Sequence, residues 1–185
     1  DTATTEIYTF PYTTLFRSNI QVIWESCGPV EAWNKGASVA LGDFLKVGED
    51  DLWYHPNWLS HTMDIIDGLP NRYGYVKIRS DANTYWAERA IASRQFLIQE
   101  FGGVLNIPHY VSQYDDRERT DRAIKAGLFF HAPKAYIEHK HWKYGKGEHD
   151  ETYERGGLYN YEKDKETYLG RKAKGFPTDY KPVIK

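Results

Sequence analysis

The sequence predicts an α/β fold, because apolar runs of strand length alternate along the chain with segments of helical periodicity. The run 44–47 is one such strand candidate. Just before it, Ala37, Ala40 and Leu41 repeat at helical spacing. The 185 residues are enough for one domain with a hydrophobic core.

The first half of the chain is predicted to contain three strands and two helices. Gly28-Pro29 marks the turn before the first helix, and Pro56 is expected to begin the second at a position that tolerates proline. The run 73–79 alternates polar and apolar residues, which predicts a half-buried strand. The elements are a strand over 20–24, a helix over 30–41, a central strand over 43–48, an acidic turn over 49–54, a helix over 56–67 and a strand over 73–79.

The second half is predicted to continue the alternation with shorter elements. Ser93 is expected to cap a short helix that stops at Gly102-Gly103, and Gly127 is expected to end a helix with an acidic first turn. The last helix is predicted to be solvated. The remaining elements are a strand over 88–92, a helix over 115–126, two separate strands over 128–130 and 135–138, and the terminal helix over 162–174.

Composition excludes several classes of function. Lysine and arginine total 24 and aspartate and glutamate total 26, so the formal charge of −2 gives no support to nucleic-acid binding. Cys27 is the only cysteine, which leaves no disulfide framework and no cysteine metal site. No apolar run approaches the roughly 20 residues of a membrane-spanning helix, so no transmembrane segment is expected. A soluble chain in the cytoplasm is predicted.

Residues 1–18 differ in character from the rest of the chain. They are rich in threonine and tyrosine and show no amphipathic period. The piece FPYTTLFRS resembles translated sequencing-adapter read-through, and an ordinary β-prone arm is the alternative interpretation. In either case we exclude this segment from the prediction of the fold.

Three polar clusters, far apart in sequence, are candidates for a common site. They are Glu49-Asp50-Asp51, Asp115-Asp116 with the nearby Glu118, and the pair His139 and His141. Three consecutive acids repel one another unless something positive lies between them. Carboxylates with imidazole suit Mn²⁺, and carboxylates alone suit Mg²⁺. Such an ion can neutralise a diphosphate leaving group, while a separate carboxylate acts as general base on a hydroxyl.

Each cluster also has a plain structural interpretation. Acidic turns are often only solvated, and Asp115-Asp116 suits the positive end of a helix dipole. His139 and His141 point the same way if they lie on a strand, as surface pairs commonly do. No single cluster therefore identifies a function, and their order and spacing carry more information than any one of them.

The segment AWNKGASVALGDFLKVGEDDLWYHPNWL resembles the donor-site segment of family-2-like glycosyltransferases with the GT-A fold. In that family an Asn-x-Gly helix and an apolar strand lead into a DXD-type motif, and Glu49-Asp50-Asp51 occupies its positions, with Glu in place of the usual first Asp. FGGVLN followed by YDDRERTDRAIKAG is similar to the second signature, where Asp115-Asp116 matches the acidic pair. AYIEHKHWKYGK resembles the segment that supplies a metal-binding histidine. The resemblance spans about residues 19–145.

The resemblance implies a fold and a reaction. The fold would be a partial GT-A (Rossmann-like) three-layer sandwich, with helices on both faces of a mixed sheet. The reaction would transfer a sugar from a nucleotide-diphosphate donor to an acceptor hydroxyl on a saccharide or another molecule. It would invert the anomeric configuration and depend on a divalent metal, Mn²⁺ or Mg²⁺.

The implied site residues occupy the matched motif positions. Asp116, with Asp115 as the alternate, would be the catalytic base that deprotonates the acceptor. Asp51 would be the main metal ligand, with His139 as first and His141 as second choice to complete the metal site. The donor-binding residues would be Asn34, Gly36, Glu49, Asp50, Asp51 and Gly103.

The resemblance also predicts how the chain divides. The family's first βαβ portion contacts the nucleotide base and should precede residue 20, where only residues 1–18 stand. We therefore expect a non-native arm (1–18), a truncated glycosyltransferase core (19–145) and a C-terminal helical tail (146–185). Weak or absent activity would follow from the truncation.

Two other classes of function stay open at this point. A non-catalytic carbohydrate- or partner-binding module would let the three clusters scatter over the surface. A metal-dependent hydrolase would need a denser shell of ligands that includes His109 or His131. Trp53 and Trp58 could stack on a sugar, but they are expected to pack in the core.

Overall fold

The computed structural model describes residue 23 and residues 27–82, 84–149 and 159–185. Within these ranges the helices are α1 (Pro29–Val39), α2 (Trp58–Asp67), α3 (Arg94–Glu100), α4 (Asp115–Lys125) and α5 (Tyr159–Ala173). The strands are β1 (Phe44–Lys46), β2 (Leu52–Tyr54), β3 (Tyr75–Arg79), β4 (Ala90–Ser93) and β5 (Phe129–His139). None of these helices is long and apolar enough to cross a membrane. The arm 1–18 and the predicted strand 20–24 lie outside the described residues, apart from Ile23.

The five strands form one mixed sheet in the order β1-β4-β3-β5-β2. β3 and β5 run parallel, and the other three neighbouring pairs are antiparallel. The prediction of an α/β fold is confirmed at this level. The strand predicted over 43–48 forms as β1, but its predicted central position is wrong, because β1 lies at an edge of the described sheet. The centre belongs to β3, whose two faces are both covered.

The sheet has helices on both faces, as predicted, which makes three layers. Tyr75 and Val76 are neighbours on β3 and point to opposite faces, yet both are buried. On the Tyr75 side, α1 and α4 pack through Val30 and Ala123. On the Val76 side, α2 packs through Ile66. The strand predicted over 73–79 is confirmed as β3, but it is not half-buried, since helices cover both of its faces.

β5 is one strand of 11 residues rather than two short strands. Its pairing with β3 shifts register between Ile78, which faces Ala132, and Arg79, which faces Tyr136. The intervening residues include Pro133, which has no N–H to give to the ladder and is tolerated at a bulge. The proline interrupts the sequence pattern, but the bulge lets the strand continue.

β2 forms inside the segment that was predicted to be an acidic turn. The far end of β5 extends past β3 and offers β2 an antiparallel partner, with Leu52 opposite His139. The backbone N–H of Lys140 also donates to the carbonyl of Asp51 at 2.8 Å. A three-residue strand with this composition has no strong pattern of its own, so the partner decides its structure.

The predicted helix boundaries are close to those observed. Ser93 Oγ accepts a hydrogen bond from the N–H of Phe96 at 3.1 Å, which confirms the cap of α3. Gly127 follows α4 with a φ of 72°, as a helix stop requires. Pro56, in contrast, lies just before α2 rather than in its first turn, because Asn57 is the N-terminal cap.

The terminal helix α5 is docked onto the fold, so the prediction of a solvated helix is wrong. Asp164, Tyr168 and Arg171 lie on one helical face and are buried. Asp164 accepts hydrogen bonds from three successive backbone N–H groups at residues 111–113. The buried face of α5 is itself charged, which is why its sequence pattern resembles that of a solvated helix.

A buried ion pair holds α5 against α4. Glu118 is completely buried, and Arg171 donates to its two carboxylate oxygens at 2.8 Å and 3.0 Å. The hydroxyl of Tyr110 donates to the same carboxylate at 2.7 Å, and Arg122 lies 3.5 Å from it. Such a carboxylate is tolerated in the interior only while its partners are in place.

We predict that Arg171→Met lowers the free energy of unfolding by about 3–5 kcal/mol, because it leaves Glu118 buried with too few partners. Urea unfolding followed by circular dichroism measures the change. The matched control is Lys172→Met, at the next position of the same helix. Its exposed ammonium pairs with Asp121, and its loss should cost at most about 1 kcal/mol. Equal losses in the two variants would contradict the prediction.

Candidate functional site

The acidic turn between β1 and β2 meets the end of β5. One ligand atom from each of Glu49, Asp51 and His139 lies within 4.8 Å of the other two. His139 Nε2 is 2.8 Å from Asp51 Oδ2 and 3.8 Å from Glu49 Oε2. The pairing of β2 with β5 brings these residues together, although His139 and Asp51 are 88 positions apart. We call Glu49, Asp51 and His139 the acid–histidine cluster.

A guanidinium that was not predicted from the sequence completes the surroundings of this cluster. Arg89 lies just before β4 and is 7% exposed. Its Nη2 donates to Glu49 Oε2 at 2.7 Å and to His139 Nδ1 at 3.1 Å. The positive charge that consecutive acids need is thus supplied in part by Arg89. No local pattern in WAERAIAS marks this arginine, since its partners lie 40 and 50 residues away.

The contact with Arg89 determines the tautomer of His139. A guanidinium is always protonated and can only donate hydrogen bonds. Nδ1 of His139 therefore accepts from Arg89, and the imidazole proton is on Nε2. From there it is donated to Asp51 Oδ2 at 2.8 Å.

The cluster fits a divalent cation in both chemistry and spacing. Two carboxylates and an imidazole are ligands that ions of the Mn²⁺ type accept. With bonds of about 2.1 Å, adjacent ligands of an octahedral ion lie about 3 Å apart and opposite ligands about 4.2 Å apart. The separations of 2.8 Å and 3.8 Å from His139 Nε2 are close to these values. Small side-chain movements would complete the fit.

Two other predicted residues, Asp50 and His141, adjoin the cluster but are not part of it in the described chain. Asp50 is exposed. The ring of His141 packs against that of His139 with centroids 4.9 Å apart, and Nδ1 of His141 accepts from the N–H of Lys143. Burial, together with the neighbouring His139, lowers the pKa of His141. His139 is therefore the histidine that meets the acids.

Asp115 is built into the core at the start of α4. It is 4% exposed, and its carboxylate accepts from Asn106 Nδ2 at 2.7 Å, from the N–H of Ile107 at 2.5 Å and from Arg119 at 2.7 Å. Burial raises its pKa to about 6, and Arg119 and the Ile107 amide oppose this rise. Its contacts hold the first turn of α4 against the loop 105–107.

Asp116 is the half-buried neighbour of Asp115. Its Oδ1 accepts from the N–H of Arg117 at 2.9 Å. Burial raises the pKa of Asp116, Arg119 opposes the rise and the negative charge of Glu88 adds to it. A carboxylate with a raised pKa is a stronger proton acceptor once ionised. Of the predicted acidic pair, Asp116 has the side chain suited to exchange a proton with a ligand.

A short segment links α4 to the acid–histidine cluster. At one end the N–H of Ala87 donates to Thr120 Oγ1 of α4 at 2.8 Å. At the other end Arg89 donates to the cluster. Glu88 lies between these two contacts, and its negative charge adds to the rise that burial causes in the pKa of Asp116. Three consecutive residues thus connect the candidate base with the candidate cation ligands.

Asn34 and Gly103, predicted to bind the donor, have structural roles in this fold. Asn34 Oδ1 accepts from the N–H groups of Leu105 and Asn106, and its Nδ2 donates to the carbonyl of Asn106. Gly103 has a φ of 77°, and its carbonyl accepts from the N–H groups of residues 183–184. Through these hydrogen bonds both residues tie separate parts of the chain together.

A cavity of about 500 Å³ borders α1. Its lining includes Asn34, Lys35, Tyr110 and Val183, and it includes no member of the acid–histidine cluster. Gly36, also predicted to bind the donor, is half-buried on α1 and has open space where a Cβ would be. The cavity and the cluster are therefore separate features.

The two tryptophans that were expected in the core differ. Trp58 on α2 is partly buried against the core on the Val76 side of the sheet. Trp53 on β2 is 60% exposed, so the expectation for this residue is wrong. It lies opposite Glu138 on an edge strand, and the ammonium of Lys140 lies 6.0 Å from the centre of its ring.

The histidines proposed for a hydrolase-type metal shell lie in other contacts. His109 Nε2 is 2.8 Å from Asp179 Oδ1. The ring of His131 packs against that of Phe129 with centroids 4.9 Å apart. Neither histidine belongs to the acid–histidine cluster.

We predict that Asp115→Ala destabilises the protein by about 3–5 kcal/mol, because it leaves Arg119 and two other buried donors without their acceptor. Chemical unfolding measures the loss. Asp116→Ala is the control, since its carboxylate accepts from the adjacent N–H and its removal should cost about 1 kcal/mol. Similar losses in the two variants would contradict the different roles assigned here.

We predict that Glu88→Gln lowers the pKa of Asp116. Removing a negative neighbour makes the Asp116 carboxylate easier to ionise, so its titration moves to lower pH. NMR titration of the Asp116 side-chain carboxyl carbon measures the shift. Asp81→Asn is the control, because it removes a carboxylate that pairs with Lys146 instead, and it should leave the pKa of Asp116 unchanged. A pKa that stays constant or rises in Glu88→Gln would disprove the electrostatic link.

Comparisons with protein-family models, with curated proteins and with solved structures find no match to this chain. No relative therefore assigns a role to any residue of the cluster. The chemistry of the site has to be inferred from its own side chains, their spacing and their charges.

Proposed function

We propose that this chain is the donor-site core of a glycosyltransferase with the GT-A fold. It would transfer a sugar from a nucleoside-diphosphate donor to an acceptor hydroxyl. The observation that carries the proposal is the meeting of Glu49, Asp51 and His139 at one point. These residues come from the two segments that resemble the DXD-type motif and the histidine segment of that family. A three-layer α/β architecture supports the same function, as does Asp116, which residues 87–89 link to the cluster.

Glu49, Asp51 and His139 would hold a divalent cation, Mn²⁺ or Mg²⁺. When bound, such a cation supplies Lewis-acid neutralisation of the diphosphate leaving group. Asp51 is the central ligand, because its Oδ2 already lies 2.8 Å from His139 Nε2. Asp50 is exposed beside the cluster, where a donor could reach it.

Asp116 would be the general base of a single displacement. The acceptor oxygen forms a bond to the anomeric carbon of the sugar, and the bond from that carbon to the diphosphate oxygen breaks. The electron pair leaves with the nucleoside diphosphate, and the hydroxyl proton passes to the Asp116 carboxylate. One displacement inverts the anomeric configuration. Burial and Glu88 favour this role because they raise the pKa of Asp116.

The two alternative classes have less support in the described residues. A metal-dependent hydrolase would draw His109 or His131 into the cation shell, but these side chains contact Asp179 and Phe129 instead. A pure binding module has no need of carboxylates and an imidazole gathered within 4.8 Å. We therefore propose a glycosyltransferase rather than a hydrolase or a binding module.

The variants Asp51→Asn and Asp116→Asn separate donor binding from turnover. We expect Asp51→Asn to weaken the binding of Mn²⁺, and of UDP or GDP with Mn²⁺, by at least about tenfold, because a cation ligand loses its charge. We expect Asp116→Asn to keep these affinities within about twofold and to slow release of the nucleoside diphosphate from its sugar by at least about 100-fold.

Titration calorimetry measures the affinities, and a coupled assay for UDP or GDP measures the release. A wild-type chain that binds neither Mn²⁺ nor UDP or GDP would disprove the proposed function, whereas slow turnover in the wild type would not. Donor binding that survives in Asp51→Asn would remove that residue from the cation site. Turnover that survives in Asp116→Asn would disprove only the choice of base.

A further inference from the structure

Arg89 contacts two of the three candidate cation ligands. We propose, building on the proposed function, that Arg89 couples cation binding to binding of the donor diphosphate. In the free protein its guanidinium occupies Glu49 and His139. When a nucleoside diphosphate enters, the guanidinium moves to the phosphate oxygens and leaves both ligands to the cation.

The Arg89–His139 contact and cation binding through Nε2 exclude each other. A neutral imidazole has one proton, and here that proton is on Nε2 because Nδ1 accepts from Arg89. Coordination through Nε2 requires the proton to be on Nδ1 instead. An Nδ1–H group cannot accept from Arg89 Nη2, which lies 3.1 Å away. Arg89 must therefore leave His139 when the cation binds.

Glu49 gives a second reason for the same movement. Arg89 Nη2 is 2.7 Å from Glu49 Oε2, the oxygen that lies 3.8 Å from His139 Nε2. A cation bound to this oxygen would lie next to the guanidinium, and two positive charges repel strongly in a site that is largely shielded from water. Arg89 and the cation thus compete for Glu49.

The guanidinium has a donor available for an anion. Nη1 donates to the carbonyl of Glu88, but within the described residues Nε has no hydrogen-bond acceptor, although the side chain is 93% buried. Nε and Nη2 form one edge of the guanidinium, and such an edge binds two phosphate oxygens at once. A buried donor without an acceptor is costly, and a diphosphate would satisfy it.

The charges of the site favour the binding of the cation and the diphosphate together. The two carboxylates and the guanidinium leave a formal charge of −1, which disfavours a free diphosphate. A divalent cation changes this to +1, which attracts the diphosphate. The diphosphate in turn draws Arg89 away from the cation ligands. Each ligand therefore strengthens the binding of the other, as linkage requires.

Arg89→Met tests this coupling through two affinities that should change in opposite directions. We expect the variant to bind Mn²⁺ alone about five- to tenfold more tightly than the wild type, because a competing charge is gone. We expect it to bind UDP or GDP at saturating Mn²⁺ at least about tenfold more weakly, because the guanidinium edge that binds two phosphate oxygens is lost. Calorimetry measures both affinities.

Two further variants control for charge and for a general effect. Arg89→Lys keeps the positive charge but lacks the two-donor edge of the guanidinium. The Mn²⁺ affinity should therefore stay near the wild-type value while the nucleotide affinity falls. Arg72→Met removes an exposed arginine that pairs with Asp67, and both affinities should be unchanged. A purely structural role of Arg89 predicts that Arg89→Met weakens both ligands or neither, and either result overturns the coupling.

The tautomer of His139 gives a readout that needs no variant. ¹⁵N NMR of the free wild-type protein should show the imidazole proton on Nε2, and addition of Mg²⁺ with UDP or GDP should move it to Nδ1. A proton on Nδ1 in the free protein, or no change on addition, overturns the proposal. If the wild type binds cation and nucleotide but the two affinities of Arg89→Met do not change in opposite directions, the coupling is overturned and the proposed function stands. A wild type that binds neither overturns both.

Discussion

The passage of β5 through its bulge is the constraint on which the candidate site depends. The strand pairs with β3 along its first part, absorbs Pro133 in a shift of register and then pairs with β2. Without the second pairing, the acidic turn would have no partner and His139 would end far from Asp51. The same pairing turns part of that acidic turn into β2. Backbone hydrogen bonds, rather than contacts between side chains, therefore set the distance between the candidate cation ligands.

Charge compensation is the second organising feature. The acids after β1 have the positive guanidinium of Arg89 beside them. This arrangement compensates part of the negative charge of the turn, and it involves two of the groups proposed to hold a cation. We propose that such a site binds a cation best when an anionic diphosphate draws the arginine away. The same contact thus has a structural role and a proposed functional one.

The acidic residues of α4 show how similar sequence signals lead to different roles. Asp115 and Glu118 are surrounded by donors and hold the helix to the loop 105–107 and to α5. Asp116, between them in sequence, has fewer partners and feels the charge of Glu88. The difference arises from which side of the helix faces the core. Of these three carboxylates only Asp116 is partly exposed, and its pKa is raised by burial and by the charge of Glu88.

The sequence by itself determined the alternation of strands and helices, the cap at Ser93, the stop at Gly127 and the acid and histidine candidates. These features depend on periodicity and on residues close together in the chain. Only the tertiary structure decided that β1 is an edge strand, that α5 is docked by buried charges and that Arg89 adjoins the cluster. Each of these depends on pairings between distant segments, where a charged residue can be buried if its partner arrives from elsewhere. Local patterns cannot reveal that partner, because the contact exists only after the chain has folded.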